Sequence, residues 1–225
     1  ALNPEPDYEI AEDELLVLAG STTTPRYDKG REQETFEFHG DANKKTDRLE
    51  RLLILGWNEN IDEILGELDA HAVRDTVVSL IAGHEKARAL AYLAASGAVD
   101  FPNISVDYRE GNPTSRALLE SIDLGSFDCV ITLADDSHGT DEPDARTIMT
   151  LLLLGDVGRS KQLPHVVSEI YDGANRELLE QTVADDIIVS PDMVSLQLAQ
   201  ISRELMLASI YREILTAGGI EMRLQ

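Results

Sequence analysis

The chain has 225 residues, 43% of them apolar and 5% aromatic, which is enough Leu, Ile, Val and Ala for a packed core and excludes global disorder. A formal net charge of −23 repels phosphate backbones and anionic lipid, so nucleic acid and membrane surfaces are poor partners, although such a charge also serves plain solubility. The longest apolar runs, such as residues 148–154, fall far short of the ~20 residues that span a bilayer, so no direct membrane insertion is expected of this stretch.

Residues 1–20 open with the turn-rich Asn3, Pro4, Glu5, Pro6, Asp7 and continue through Glu12, Asp13 and Glu14 into a strand-like Leu15, Leu16, Val17, Leu18. A lone strand needs a sheet to join, so this segment is expected to be the tail of a preceding domain. The first residue is Ala1, not Met, and no signal peptide follows, which fits a piece of a longer protein. Residues 21–47 are polar, carry Pro25, Gly30 and Gly40, keep no sustained period, and read as a linker with a weakly signalled strand at 35–38.

From residue 48 strands and helices alternate. Residues 52–55 form a buried-type strand, and Ile61, Ile64, Leu65 and Leu68 then recur at helical spacing. Residues 76–81 are a second strand, followed by a helix expected to bury Ala87, Leu90, Ala91 and Ala94. A third strand spans 104–108 and a third helix 113–122, with Asn112 as N-cap and Pro113 at the first position, where a missing N–H costs nothing. Residues 127–133 are strand four, 144–154 helix four, 165–170 strand five, 176–181 a short helix and 186–189 strand six. A long pattern from Pro191 then places Val194, Leu198, Ile201 and Leu205 on one face. Cys129, the single cysteine, lies in an apolar strand where core packing is expected, and its solitude excludes an internal disulfide and fits a cytosolic setting. Strands alternating with helices imply right-handed crossovers and an α/β fold: a doubly wound parallel sheet of six strands, Rossmann-like, over residues 48–203, with 204–225 as a helical extension.

In a dinucleotide-binding unit the first strand runs into G-x-G-x-x-G, whose second glycine lets pyrophosphate approach the backbone and whose third lets the helix pack closely on the sheet. Here the turn is Gly56, Trp57, Asn58, Glu59, Asn60, Ile61. Gly56 survives, Asn58 and Ile61 replace the other two glycines, and Glu59 adds negative charge beside the phosphate position. Strand two ends in Leu80, Ile81, Ala82, where a ribose-binding carboxylate would stand, and Glu85 comes several residues late. Gly56 and Asn58 thus mark a degenerate cofactor site in which ordinary NAD is not expected.

The five histidines show no H-E-x-x-H spacing, and neither a G-x-S-x-G elbow nor a P-loop occurs, so no catalytic residue is assigned. The chemically distinctive patch is the run 135–144 after strand four, at the crevice end of the sheet. Asp135, Asp136, Asp141 and Glu142 suit a hard cation such as calcium, which takes six to eight oxygens, although their spacing is not that of an EF-hand. The alternative is a solvated loop whose Asp144 caps helix four and complements its dipole.

Several stretches carry a resemblance: ILGWNE at 54–59, REGNPTSRALLE at 109–120, DARTIMTLLLL at 144–154, VVSEIYDGANREL at 166–178 and IVSPDMVSLQLAQ at 188–200. They resemble the regulatory (RCK, TrkA-N-like) domains of the CASTOR/POLLUX ion channels, and residues 1–20 resemble the end of the small lobe of a preceding RCK domain. The resemblance implies a non-catalytic gating-ring domain of a cation channel, on the cytosolic face of a membrane. It also implies pairing into a homo-oligomer through the helix after Pro191, attachment to the pore domain of the same polypeptide, and truncation before a second small lobe. The alternatives left open are an NAD-dependent oxidoreductase and a ligand-sensing Rossmann subunit of an ion transporter.

Overall fold

The computed structural model describes residues 51–72, 74–97, 100–134, 143–159, 163–204 and 207–215, all within the unit Arg48–Gln225. The expected preceding-domain tail (1–20), the linker (21–47) and the weak strand at 35–38 lie outside the described residues.

Six strands, β1 (Arg51–Leu55), β2 (Thr76–Ala82), β3 (Ile104–Glu110), β4 (Cys129–Thr132), β5 (His165–Ile170) and β6 (Asp186–Val189), pair throughout in parallel in the order β3-β2-β1-β4-β5-β6. That is the doubly wound Rossmann order, with the switch point between β1 and β4. Parallel neighbours need a crossover that packs back on the sheet, and five helices lie in the connections: α1 (Ile61–His71), α2 (Lys86–Ser96), α3 (Arg116–Glu120), α4 (Pro143–Gly158) and α5 (Arg176–Leu179), while α6 (Ser190–Arg203) and α7 (Leu207–Leu215) follow the last strand.

The β1 run Leu-Leu-Ile-Leu is apolar without alternation because both of its faces are covered. Leu52 and Ile54 pack with Ile61 and Leu65 of α1 and with Ala89 and Leu93 of α2. Leu53 and Leu55 point the other way, into a second core with Leu119 of α3 and Leu151 and Leu154 of α4. Each fully buried Leu or Ile contributes roughly 1.5–3 kcal/mol of transfer free energy, and β1 supplies such residues to both cores. Cys129 is buried in the first core, and desolvation there, with Asp185, Asp128 and Asp186 adding negative potential, pushes its thiol up to about 11.

Several expected boundaries and faces change. The α2 face is the reverse of the expected one: Ala87, Leu90, Ala91 and Ala94 are exposed, while Ala89 and Leu93 are buried. This helix carries apolar residues on several faces, so its pattern has no unique one, and Leu93 with Ala89 one turn away takes the core. The third helix begins at Arg116 because Asn112 makes a turn: its Oδ1 accepts from the Thr114 N–H (3.0 Å) and hydroxyl (2.8 Å). Strand four is shorter than expected and α4 longer, running on to Gly158.

Candidate functional site

The crevice at the carboxyl ends of β1 and β4 is built around Gly56. Its N–H continues the ladder by donating to the Ile81 carbonyl (3.0 Å), and its φ of +105° lies where a side chain is strained. A Cβ there would stand 2.7 Å from the Leu133 carbonyl oxygen. The surviving glycine is therefore required by the close approach of two backbones.

Asn58, at the position of the second glycine, is fully buried at 0% exposure. Its Oδ1 accepts from the Asn60 N–H (3.1 Å), fixing the turn, and its Nδ2 donates to Glu169 Oε2 on β5 (2.7 Å). The other carboxylate oxygen of Glu169 accepts from the hydroxyl of Ser190, the first residue of α6 (2.5 Å). Beneath this chain the hydroxyl of Thr132 donates to that of Ser168 (2.9 Å). The Asn58 amide and the Glu169 carboxylate thus meet at the β1–α1 turn. Ile61, at the third glycine position, is buried in the first core.

Trp57, the single tryptophan, turns to the β2 side and is buried. His84, Tyr92 and Tyr108 meet it edge-on, with ring centroids 5.2, 5.6 and 6.1 Å away. The Tyr92 hydroxyl donates to the Glu59 carbonyl (2.8 Å), and that of Tyr108 donates to the His84 carbonyl (2.6 Å). β2 ends at Ala82, so no carboxylate stands on its last residue, and Glu85 is exposed ahead of α2.

On the other side of Gly56 a shallow pocket is lined by Thr114, Thr132, Arg146, Thr147 and Thr150. Its hydroxyls are largely engaged: Thr147 donates to the Leu133 carbonyl and Thr150 to the Arg146 carbonyl, while Arg146 Nη2 donates to Asn112 Oδ1 (3.2 Å).

The acidic residues Asp135, Asp136, Asp141 and Glu142 lie outside the described residues. Among those that are described, no group of three or more His, Cys, Asp or Glu is placed to hold a metal ion. Asp144 stands in the first turn of α4, where its charge complements the helix dipole as expected, and it also binds outside the helix. It is buried, and its carboxylate accepts from the Tyr171 N–H (2.8 Å), the Asp172 N–H (2.9 Å) and Asn175 Nδ2 (2.8 Å). It pins the loop after β5 to the start of α4.

Sequence reasoning singled out Gly56 and Asn58 and missed Glu169, Ser190 and the aromatic partners of Trp57. A charged residue inside the apolar strand His-Val-Val-Ser-Glu-Ile was the available signal for Glu169.

In comparisons with known proteins the chain is 27% identical to the ion channel CASTOR of Lotus japonicus, over 100% of this chain and 30% of that protein. It is 28% identical to the ion channel POLLUX of the same plant, over 98% of this chain and 28% of that one. It is 26% identical to the ion channel DMI1 of Medicago truncatula, over 98% and 29%. The chain is thus similar, over its whole length, to a part of the CASTOR, POLLUX and DMI1 ion channels. It spans about 30% of the length of these relatives. No protein-family model matches it. Similar solved structures include the NAD(P)-binding domain of an exopolyphosphatase-related protein from Archaeoglobus fulgidus, with a TM-score of 0.49 and 18% identity over 70% of this chain and 99% of that one. Another is the TrkA-N domain of the Escherichia coli inner membrane protein YbaL, at 0.49 and 10% over 69% and 98%. A third is the GsuK channel bound to NAD, at 0.44 and 15% over 68% and 24%. No helix of the described residues is long and apolar enough to cross a membrane.

Proposed function

We propose that this chain is a non-catalytic regulatory domain of an ion channel, working on the cytosolic face of a membrane beside a pore formed by the same polypeptide. Its homology to channels over the whole chain supports the setting. The observation that carries the non-catalytic part is Asn58: a buried amide bonded to a carboxylate fills the place of the glycine that admits pyrophosphate. A carboxylate beside phosphates would repel them, and the Trp57 cluster fills the β2 side, where ribose would need an acid.

A cation is the permeant ion in this reading. Pairing of copies through α6 is its assembly: no residue of this helix is buried, and Met193, Val194, Leu196 and Leu198 are exposed. Calcium, held by Asp135, Asp136, Asp141 and Glu142, is the regulatory ligand within the same reading. A ligand that favours one arrangement of paired domains shifts the gate by its differential affinity for the two states.

Single-channel recording of the full-length protein in planar bilayers tests the reading. Asn58→Ala is expected to change open probability and leave unitary conductance as it was. Unchanged open probability, or an altered conductance, contradicts a regulatory role for this crevice.

A further inference from the structure

Three elements that are distant in sequence meet on one carboxylate. Asn58 belongs to the β1–α1 turn, Glu169 to β5 and Ser190 to the start of α6, and the two bonds that join them measure 2.7 and 2.5 Å. The strand order explains the reach. Leu55 lies beside Thr132 and Thr132 beside Ser168, so Glu169, one residue further along, sits a full strand beyond β4 from the turn it binds. Both carboxylate oxygens are engaged, one at each end, so a carboxylate that rotates or moves to serve one partner disturbs the other.

At the far end, among the described residues, α6 is held by its neighbours β6 and α7 and by few buried groups. Val189 just before it is buried, whereas the helix itself has no buried residue. At the near end Asn58 is fully buried and also holds the Asn60 N–H, so its amide has no freedom to follow a displaced Glu169 without loosening the turn. We infer that Asn58, Glu169 and Ser190 form a latch that couples the β1–α1 turn to the first turn of α6. A molecule that enters the crevice and takes either the Asn58 amide or the Glu169 carboxylate would release α6, and displacement of α6 would loosen the turn. Coupling of this kind is reciprocal by thermodynamic necessity, which gives the inference two independent handles. It concerns the chain itself and stands whether or not the channel reading holds.

Amide hydrogen exchange on the 225-residue chain tests both directions. Asn58→Ala is expected to speed exchange of the α6 amides at residues 194–198 roughly tenfold, the effect of losing a hydrogen bond to a charged group. Ser190→Ala is expected to speed exchange at Asn60 by a similar factor. The amides of Leu65 and Leu80, deep in the first core, should keep their parent rates in both variants and so report global stability. If Asn58→Ala loosens Leu65 and Leu80 as well, the milder Ser190→Ala decides alone, since Ser190 is only half-buried. A rise at Asn60 carries the inference. Far-end exchange within about twofold of the parent, whatever happens beside the substitution, overturns it.

Discussion

Replacing Gly56 by alanine perturbs the turn on which the crevice is built, and its cost can be worked from two terms. The first is conformational: a φ of +105° lies beyond the left-handed well that non-glycine residues visit, a strain of about 1–3 kcal/mol. The second is steric. The new Cβ would stand 2.7 Å from the Leu133 carbonyl oxygen, which is backbone and cannot rotate away. The Leu133 N–H is itself held by the Leu55 carbonyl at 2.9 Å, so relief requires β1 and β4 to part, and overpacking of this kind costs about 1–3 kcal/mol. Together these give about 2–6 kcal/mol, a large share of the roughly 5–15 kcal/mol that holds an ordinary domain. Urea unfolding is the assay, and with a slope near 2 kcal/mol/M the midpoint should fall by about 2 M. Gly97→Ala is the control: its φ is +84° but nothing lies within 4 Å of the added carbon, so it should lose only the strain term. If Gly56→Ala costs no more than Gly97→Ala, the close approach is not what demands glycine.

Asp144→Ala removes the acceptor of two backbone N–H groups and one amide, and should cost about 3 kcal/mol by urea unfolding, with exchange at the Tyr171 and Asp172 amides rising first. In light scattering the chain is expected to pair, and Leu198→Glu, at a position 64% exposed, should make it monomeric; a monomeric parent at high micromolar concentration removes the pairing role of α6. The Cys129 thiol is raised from 9.0 to about 11 in the folded state, so its contribution to stability is complete below pH 9.0 and is lost as pH rises towards 11, where the unfolded thiol has already ionised. Cys129→Ala should therefore show a shallower alkaline decline in urea midpoint, and an equal decline in both proteins would show that other groups set it.

The fold was legible because its strands are buried on both faces and so stand out as unbroken apolar runs such as Leu52–Leu55. The α1 face was legible too, since Ile61 and Leu65 contrast with the charged residues between them. In α2 alanine surrounds the helix, so hydrophobicity carries no direction, and only packing beneath Trp57 selects Ala89 and Leu93. At the site, the turn Gly56-Trp57-Asn58 showed what was missing from a phosphate loop but not what replaced it. Asn58 and Glu169 are 111 positions apart, and nothing local to either brings them together. Their meeting depends on β4 and β5 following β1 in the sheet. The place of Asp144 at the start of α4 is legible because helix starts favour acids, but its three donors from the loop after β5 lie 27 or more positions away and leave no local signal.

Isothermal titration of the chain with NAD⁺ and NADH, followed in parallel by emission of its single tryptophan, addresses the crevice most directly. Trp57 adjoins Asn58 and packs against His84 and Tyr108, so a dinucleotide seated there would change its environment. On the proposal that Asn58 and Glu169 stand in the way of a pyrophosphate, no saturable heat and no change in emission are expected up to about 1 mM ligand. Dissociation constants in the low micromolar range, with a matching change in Trp57 emission, would contradict a crevice closed to dinucleotides.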